Sequence, residues 1–264
     1  MSKLPFLAAL VTGSAGRIGR SIAMRLAEQG VAVAVHYASS KTDAEDLVNQ
    51  IRSEGGDAVS VHADLLNDDD MSALVGEAAS ALGSRLDILV NNASIFEYDN
   101  LETATFDSWT RHMATNLKAP LFLTQAFAQQ APDLAFDDND EPVATGCVIN
   151  LIDQRVLKPT PEFMTYSLAK SGLWAFTRTA AQALAPRIRV NGIGPGPTVQ
   201  GHRQSEAHFQ AQRQNTILER GSSSEEIAHA VEFLLKSPGI TGQLLCLDGG
   251  QHLAWKTPDV LGVE

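Results

Sequence analysis

Two residues whose types could carry proton chemistry stand four positions apart, in the segment Tyr166-Ser167-Leu168-Ala169-Lys170. Residues at positions i and i+4 of a helix share a face, so a helix here would place Tyr166 beside Lys170. Because an ammonium group stabilises a phenolate, we expect Lys170 to lower the pKa of Tyr166 from about 10 toward neutrality. A tyrosine tuned in this way both donates and accepts a proton.

A glycine-rich segment near the start of the chain has the composition of a phosphate-binding turn. It reads Thr12-Gly13-Ser14-Ala15-Gly16-Arg17-Ile18-Gly19, follows a short apolar run and precedes a helical pattern. Glycines allow a tight turn and a close backbone approach, and the N-terminus of the following helix supplies free N–H groups. In this context the segment predicts the pyrophosphate site of a dinucleotide.

The residues after the second apolar run indicate which dinucleotide is bound. An acidic residue about 20 positions beyond the glycine turn would bind the ribose hydroxyls of NAD. Here the run ends in His36-Tyr37-Ala38-Ser39-Ser40-Lys41, with no acid, and Arg17 could reach the same place. Neutral donors and a guanidinium suit a 2′-phosphate, so the sequence favours NADPH.

Short apolar runs alternate with longer helical patterns along the chain. This alternation predicts βαβ units, right-handed crossovers and a doubly wound sheet of about seven parallel strands with helices on both faces. No linker divides the chain, so we expect one domain over residues 1–264. The predicted strands are Ala8–Val11, Ala32–His36, Ala58–His62, Ile88–Asn91, Cys147–Ile152, Arg189–Ile193 and Leu244–Leu247. The predicted helices are Arg17–Gln29, Asp43–Glu54, Asp69–Leu82, Thr105–Ala131, Phe163–Ala185 and Glu225–Lys236.

Two segments interrupt this rhythm. Pro132–Thr145 carries five acidic residues and no basic one, and it is predicted to be a solvated loop without the regular spacing of a metal site. Thr198–Gly221 follows a Gly-Pro-Gly-Pro turn and is polar, with several Gln and His residues. We expect this second segment to be a mobile lid over a site.

Composition and charge limit the classes of partner. The 264 residues are 44% hydrophobic and 19% charged, which predicts a sizeable core. A net charge of −11 argues against nucleic-acid and anionic-membrane partners, since both need clustered cations. No apolar run is long enough for a transmembrane helix. Leu7–Val11 is predicted to be a buried strand rather than part of a signal peptide, and Cys147 and Cys246 to be buried reduced thiols in a cytoplasmic protein.

The combination and order of these motifs resemble the short-chain dehydrogenase/reductase family over nearly the whole chain. Besides the glycine turn and the Tyr/Lys pair, the chain has Asn91-Asn92-Ala93-Ser94, Pro195-Gly196 and Asp248-Gly249-Gly250 in the family's order. The resemblance implies a single-domain Rossmann fold in which Tyr166 moves the proton, Lys170 holds the nicotinamide ribose, Asn116 organises a relay water and Asp64 contacts adenine. The cofactor-binding residues it implies are Gly13, Arg17, Ile18, Gly19, His36, Tyr37, Ser39, Ser40, Asp64, Leu65, Asn92, Ala93, Ser94, Tyr166, Lys170, Pro195, Gly196 and Thr198.

The resemblance also implies a homotetramer. Members of the family commonly associate through the two long helices after the fourth and fifth strands, which correspond here to Thr105–Ala131 and Phe163–Ala185. Both predicted helices are apolar around much of their circumference, with Phe122, Phe127, Trp174 and Phe176 among the large residues. Helices exposed on a sheet face should be more polar, so burial against a partner copy is expected.

One position departs from the family pattern. The serine that usually stands 13 residues before the tyrosine is Asp153 here. A hydroxyl can donate a hydrogen bond to a substrate carbonyl, whereas an ionised carboxylate only accepts. Asp153 therefore argues against simple ketone reduction unless burial keeps it protonated, and it suits a substrate rich in N–H donors or a C=N bond. The alternatives are loss of activity or use of a neighbouring group.

The pteridine and dihydromonapterin reductase branch of the family resembles this chain at the same point. That branch carries Asp before an intact Tyr-x-x-x-Lys and has an Asn-Ala-Ser-x-aromatic segment, which here is Asn92-Ala93-Ser94-Ile95-Phe96. The resemblance implies that Phe96 stacks the pterin, that Ser94 helps to bind it, and that Arg17 is shared between cofactor and substrate. The alternative for Phe96 is packing against the lid.

Three functions remain open at this point. The first is an NADPH-dependent reductase of a pterin-like C=N bond, with Arg17, Ser94, Phe96, Asp153 and Tyr166 around the substrate. The second is a carbonyl reductase or alcohol dehydrogenase in which Asp153 is protonated. The third is a nicotinamide-binding regulatory protein without turnover, although a sensor has no need of a tuned proton donor.

Overall fold

Seven apolar runs form one parallel sheet in the computed structural model, which describes residue 4, residues 6–201 and residues 204–257. The strand order is β3-β2-β1-β4-β7-β8-β9, and every neighbouring pair is parallel. The strands are β1 (Ala8–Val11), β2 (Ala32–Tyr37), β3 (Ala58–His62), β4 (Ile88–Asn91), β7 (Gly146–Leu151), β8 (Ile188–Pro195) and β9 (Leu244–Leu247), with β5 (Ala135–Phe136) and β6 (Pro142–Val143) outside this sheet. The α/β architecture predicted from the sequence is confirmed.

Helices cover both faces of the sheet, and those that pack on it bury an apolar stripe. They are α1 (Arg17–Glu28), α2 (Lys41–Ser53), α3 (Asp68–Leu82), α4 (Phe106–Met113), α5 (Ala119–Gln130), α6 (Met164–Leu184), α7 (Glu206–Gln214) and α8 (Ser224–Leu235). One core lies under α1, α2 and α8, and the other lies under α3, α5 and α6. Among the described helices, none is both long and apolar enough to cross a membrane.

The helix predicted over Thr105–Ala131 is continuous from Phe106 to Gln130 in the structure and contains a π-helical turn. A π-helical turn, Ala114–Lys118, separates α4 from α5, and Pro120 lies in the first turn of α5. The backbone stays in the right-handed helical region at Lys118 and Ala119, and Pro120, which has no N–H, removes one helical hydrogen bond next to the π-turn. Phe127 is also placed differently from the interface expectation, since it is fully buried in the core of its own chain.

The acidic segment Pro132–Thr145 is not a simple loop. It contains the two-stranded antiparallel hairpin β5–β6, whose strand residues are all exposed. Asp137 closes the hairpin turn by accepting hydrogen bonds from the backbone of Asn139 and Glu141. Its carboxylate is therefore occupied by the turn, and the described residues form no cluster suited to a metal ion.

The two cysteines differ in exposure. Cys147 on β7 is buried, as predicted, whereas Cys246 on β9 is only partly buried because β9 is the edge strand of the sheet. Both are free thiols, and burial raises the pKa of each to about 11. Neither is a thiolate near neutral pH.

Candidate active site

The predicted site residues converge at the carboxyl ends of the central strands. The glycine turn follows β1, Asn92 and Ala93 follow β4, Asp153 follows β7, and Gly196 follows β8. In an open parallel sheet these ends meet in a crevice where the strand order reverses, here between β1 and β4. The topology therefore assembles groups that lie far apart in the sequence.

The glycine turn is shaped by two positions that exclude a side chain. Gly13 has φ +61°, and a Cβ there would lie 2.9 Å from the Cα of Ala93. A Cβ on Gly19 would lie 2.5 Å from the carbonyl oxygen of Gly13 and 2.6 Å from Nδ2 of Asn92. Only glycine fits at either position, as a close turn against the β4 loop requires.

The side chain of His36 stabilises the glycine turn through a hydrogen bond. Its Nδ1 accepts a hydrogen bond from the Gly13 N–H at 2.8 Å, so its Nε2 carries the proton and donates to the carbonyl of Ala63 at 3.0 Å. Burial lowers the pKa of His36 to about 4, so the ring is neutral at pH 7. Because both ring nitrogens are bonded within the protein, they are not available to hydrogen-bond the cofactor, and the expected contact of His36 with the cofactor stays a prediction.

The start of α1 has the properties of a phosphate site. Its N-cap, Gly16, offers no side-chain hydrogen bond, and the first turn of the helix contains no acidic residue. These N–H groups and the helix dipole can bind an anion. Arg17 is exposed and reaches the lid, where its guanidinium lies 3.5 Å from the carbonyl oxygen of Val199. Ile18, next to it, is partly buried against the core.

The end of β2 presents hydroxyl groups to solvent. Ser39 and Ser40 are exposed, and the partly buried Tyr37 packs its ring on His62. Asp64, after β3, is exposed and accepts from the backbone of Leu66, while Leu65 is buried. The described geometry thus leaves neutral donors where a ribose or its phosphate would bind.

The loop after β4 is tied to the glycine turn by Asn92. Its Nδ2 donates to the carbonyls of Thr12 and Gly13, and its backbone N–H and that of Ala93 donate to the Thr12 hydroxyl. Ser94 follows with an exposed hydroxyl. The loop that carries Ser94 and Phe96 is therefore fixed at its start.

Asp153 and Tyr166 form a direct pair. The Tyr166 hydroxyl donates to Oδ2 of Asp153 at 2.8 Å, and Oδ1 accepts the Arg155 N–H at the same distance. Burial raises the pKa of Asp153 despite these hydrogen bonds. Burial, and next the negative charge of Asp153, raises the pKa of Tyr166 well above 10. The pair therefore holds its protons more tightly than either free side chain does.

Lys170 lies close to Tyr166 but acts differently from the prediction. Its Nζ donates to the carbonyl of Leu151 at 2.7 Å and lies 5.7 Å from the centroid of the Tyr166 ring. Burial lowers the pKa of Lys170 to about 8. The expectation that Lys170 brings the Tyr166 pKa toward neutrality is wrong in this geometry, because burial and Asp153 outweigh the ammonium.

Asn116 lies in the π-helical turn and is fully buried. Its Oδ1 accepts from the Ile95 N–H at 2.9 Å, and its Nδ2 donates to the Ile95 carbonyl at 2.8 Å. π-turns often occur at functional sites because they redirect side chains. Here the turn directs Asn116 onto the loop that carries Phe96.

An aromatic wall borders the Asp153–Tyr166 pair. The rings of Phe96 and Phe163 are stacked, with centroids 4.3 Å apart and planes at 9°. The Phe96 ring also meets the Tyr166 ring edge-on at 4.7 Å. Phe96 is 46% exposed, so part of its surface is open to a flat ligand. The structure thus places Phe96 beside Tyr166, and its expected stacking on the substrate stays a prediction.

A buried polar network joins the Phe96 loop to the helix that carries Tyr166, and sequence reasoning missed it. Asp99 accepts the backbone N–H groups of Phe163, Met164 and Thr165, two through its carbonyl and one through Oδ1. Its Oδ2 accepts the hydroxyls of Thr165 and Ser108. Asp99 thus caps α6 across the chain, since Phe163 itself provides no side-chain cap.

His112 on α4 completes this network. Its Nε2 accepts the Glu97 N–H at 3.1 Å, so its Nδ1 carries the proton and donates to the Thr165 hydroxyl at 2.6 Å. Burial lowers the pKa of His112, which keeps the ring neutral at pH 7. Each donor in the Asp99–Thr165–His112 network consequently has one acceptor. No local pattern signals it, because its members lie 53 and 66 positions apart.

The segment after β8 contains the helix α7 and is held by several hydrogen bonds. Thr198 shares a hydrogen bond with Ser222 at 2.7 Å and donates to the Gly196 carbonyl. Arg213, in α7, donates to the carbonyls of Pro197, Gly221 and Ser222, which holds both ends of the segment together. Pro195 ends β8. Residues 202 and 203 of the predicted lid lie outside the described residues.

Comparison with known proteins agrees with this geometry. Residues 13–252 match a family model described as enoyl-(acyl carrier protein) reductase. The chain is 34% identical over 250 residues to the 3-oxoacyl-[acyl-carrier-protein] reductase FabG of Staphylococcus aureus, covering 93% of this chain and 98% of that protein.

Two solved structures are also similar. FolM alternative dihydrofolate reductase 1 from Brucella suis, in complex with NADP, has a TM-score of 0.89 and 42% identity over 96% of this chain and 98% of that one. The landomycin C-6 ketoreductase LanV, with bound NADP and rabelomycin, has a TM-score of 0.82 and 31% identity over 94% and 97%. With the sheet topology and the Tyr/Lys helix, these matches show that the chain belongs to the short-chain dehydrogenase/reductase family of NAD(P)-dependent oxidoreductases.

Proposed function

We propose that this protein is an NADPH-dependent reductase of a pterin-like C=N bond. The observation that carries the proposal is the partly buried Asp153–Tyr166 pair, with a hydrogen bond of 2.8 Å between the two side chains and the 46% exposed ring of Phe96 against Tyr166. The similarity to FolM alternative dihydrofolate reductase 1 supports the same substrate class.

The residues around the glycine turn fit NADPH. Gly13 and Gly19 leave space that a Cβ would fill, and the start of α1 carries no competing acid. The exposed Ser39 and Ser40 hydroxyls after β2, together with Arg17, would hold the 2′-phosphate. When bound, the nucleotide supplies the hydride, and the protein supplies position and the proton.

The proton would come from the Asp153–Tyr166 pair. Reduction of a C=N bond adds one hydride to carbon and one proton to nitrogen. Because burial raises the pKa of Asp153, the carboxyl group can hold that proton and pass it on directly or through the Tyr166 hydroxyl. Afterwards the pair keeps a single negative charge, which the buried ammonium of Lys170 offsets.

The experiment is NADPH consumption by wild type and Asp153→Ser with dihydrobiopterin, dihydromonapterin, dihydrofolate and common diketones. We expect pterin turnover in the wild type and a loss of kcat of about 100-fold or more in the variant. Asp138→Ser, which removes an exposed carboxylate in the β5–β6 hairpin, is the matched control and should behave as wild type. Absence of pterin turnover at high enzyme concentration would contradict the proposal.

A second candidate function is carbonyl reduction. The observation that favours it is the raised pKa of Asp153, because a protonated carboxyl group can donate to a ketone oxygen as a serine would. The similarity to FabG and to LanV supports this candidate. It predicts diketone turnover that survives or rises in Asp153→Ser.

The association state and the cellular location are proposed from the resemblance to the same family. We propose a homotetramer in the cytoplasm, formed through the faces of α5 and α6, where Phe122 and Leu168 are exposed in the single chain and Trp174 is half-buried. Light scattering after gel filtration should give four times the mass of one chain. Phe122→Glu should lower that mass.

A further inference from the structure

We propose that Arg155 binds an anionic substituent of the substrate, so that the site prefers a heterocycle carrying a carboxylate or phosphate tail. This inference rests on the proposed pterin-like substrate and assigns a role to a residue that the sequence analysis did not single out. It identifies where the part of the substrate that is not reduced would be bound.

A continuous series of contacts leads from the proton donor to Arg155. The Tyr166 ring meets Phe96, and the Phe96 ring stacks on Phe163. The guanidinium carbon of Arg155 lies 5.0 Å from the centroid of the Phe163 ring. A flat heterocycle held at Phe96 would therefore extend its substituent along Phe163 toward a fixed cation.

Local contacts hold Arg155 in place. Its backbone N–H donates to Asp153, its guanidinium stacks on Phe163, and its Nη1 donates to the Thr160 hydroxyl at 2.8 Å. A guanidinium held in this way loses little conformational entropy when it binds an anion. The remaining N–H groups of the fork can pair with two oxygen atoms of one ligand group.

The charge of Arg155 is not neutralised within the described part of the chain, where no carboxylate oxygen lies within 4.0 Å of its guanidinium nitrogens. Glu162, the acidic residue beside Phe163, is instead hydrogen-bonded to the Tyr98 hydroxyl. Because the chain as a whole carries a net charge of −11, an anionic substrate needs such a local cation to overcome repulsion.

The cation also reaches the proton donor. Burial raises the pKa of both Asp153 and Tyr166, and the positive charge of Arg155 offsets part of that rise. A bound anion would cancel part of this effect, so the pair would hold its proton more tightly when a tail is present. Tail binding and proton donation are therefore coupled through Arg155.

The test compares substrates with and without an anionic tail on the NADPH-loaded enzyme. Dihydrofolate carries carboxylates, dihydroneopterin phosphate carries a phosphate, and dihydrobiopterin has a neutral side chain. In Arg155→Gln we expect the ratio of kcat/KM for a tailed substrate to that for dihydrobiopterin to fall about tenfold, mainly through KM. Whichever tailed substrate shows this fall identifies the source of the anion.

The matched control is Arg178→Gln, which removes a guanidinium stacked at 4.9 Å on Trp174 rather than on the aromatic wall. Its substrate ratio should equal that of wild type. Calorimetric binding of folate to the NADP-loaded enzyme gives a second readout, in which Arg155→Gln should weaken binding about tenfold and Arg155→Lys, which keeps the charge but not the fork, should weaken it less.

The outcomes separate the two proposals. Turnover of dihydrobiopterin with an unchanged substrate ratio in Arg155→Gln would overturn the role of Arg155 and leave the proposed function standing. If the wild type neither turns over nor binds any of the three pterins, both proposals fail together. If Arg155→Gln does not fold, the ratio in Arg155→Lys decides the question.

Discussion

Replacing Asp99 by asparagine tests whether the buried network holds the active site together. Burial raises the pKa of Asp99, but the hydrogen bonds from Thr165 and Ser108 outweigh it and keep the carboxylate ionised. The amide of the Asp99→Asn variant would present an N–H₂ group where Oδ2 now accepts two hydroxyl protons. Thr165 could not reverse its hydroxyl without cost, because its oxygen already accepts the proton of His112.

The magnitude follows from the bonds that are lost. Two hydrogen bonds to an ionised carboxylate are each worth about 1.5 kcal/mol, so Asp99→Asn should lower the free energy of unfolding by about 3 kcal/mol. For a chain of this size each kcal/mol lowers Tm by about 3 °C, which gives a fall of about 9 °C. The matched control is Asp107→Asn on the exposed first turn of α4, which should lower Tm by no more than about 2 °C.

The same change should separate substrate chemistry from nucleotide binding. The network joins the Phe96 loop to the start of α6, whereas the glycine turn is held by Asn92 and His36. We therefore expect Asp99→Asn to lower kcat about tenfold through misplacement of Tyr166, with the Kd of NADPH within about twofold of wild type. Thermal unfolding and fluorescence titration measure the two effects. A Tm equal to that of Asp107→Asn, or a loss of NADPH affinity as large as the loss of kcat, would refute the reasoning.

Three further predictions concern the glycine turn and the proton donor. Gly19→Ala should raise the Kd of NADPH about tenfold or more in a fluorescence titration, because the new Cβ would lie 2.5 Å from the Gly13 carbonyl oxygen. The control Gly76→Ala has open space around its Cβ and should leave that Kd unchanged. Burial lowers the pKa of Lys170 from 10.5 to about 8, so between these values the unfolded chain binds the extra proton at this residue. The free energy of unfolding of the wild type minus that of Lys170→Met should therefore rise with pH by up to about 1.4 kcal/mol per unit in denaturant unfolding of the two proteins. The difference removes the opposite contribution of Cys147 and Cys246, whose raised pKa values both proteins share. Because burial raises the pKa of Asp153, kcat should fall as rising pH removes the donor proton, and a stopped-flow pH profile of Asp153→Ser should place that fall at higher pH.

Most of the fold could be predicted because it depends on local patterns. Strands β1, β3, β4 and β9 have the predicted bounds, since each is a short apolar run closed by a polar or glycine-rich segment. The glycine turn was predictable because its residues are contiguous and its context is specific. Other boundaries shifted by one or two residues, as at Lys41, where α2 begins two positions before the predicted start.

The parts that could not be predicted depend on contacts between distant residues. His36 resembles a ligand-facing residue in sequence, and only the position of Gly13 and Ala63 around its ring shows that it is a buried support. The Asp99–Thr165–His112 network requires three elements to meet, and the π-turn at Asn116 has no compositional signal. Burial also reversed the direction of the Tyr166 pKa shift, because sequence spacing alone does not indicate desolvation.

The charge state of Asp153 affects which type of double bond the site is suited to reduce. A ketone gains negative charge on oxygen as hydride arrives, so Asp153, 2.8 Å from the Tyr166 hydroxyl, would favour that reaction only while it is protonated and would oppose the charge once it is ionised. An imine nitrogen is basic, so an acid can protonate it before hydride arrives, and the substrate then gains positive charge beside Asp153. In the proposed C=N reduction, Asp153, whose pKa burial raises, would first supply the proton and then stabilise the cation that results. This order of events favours C=N over C=O reduction.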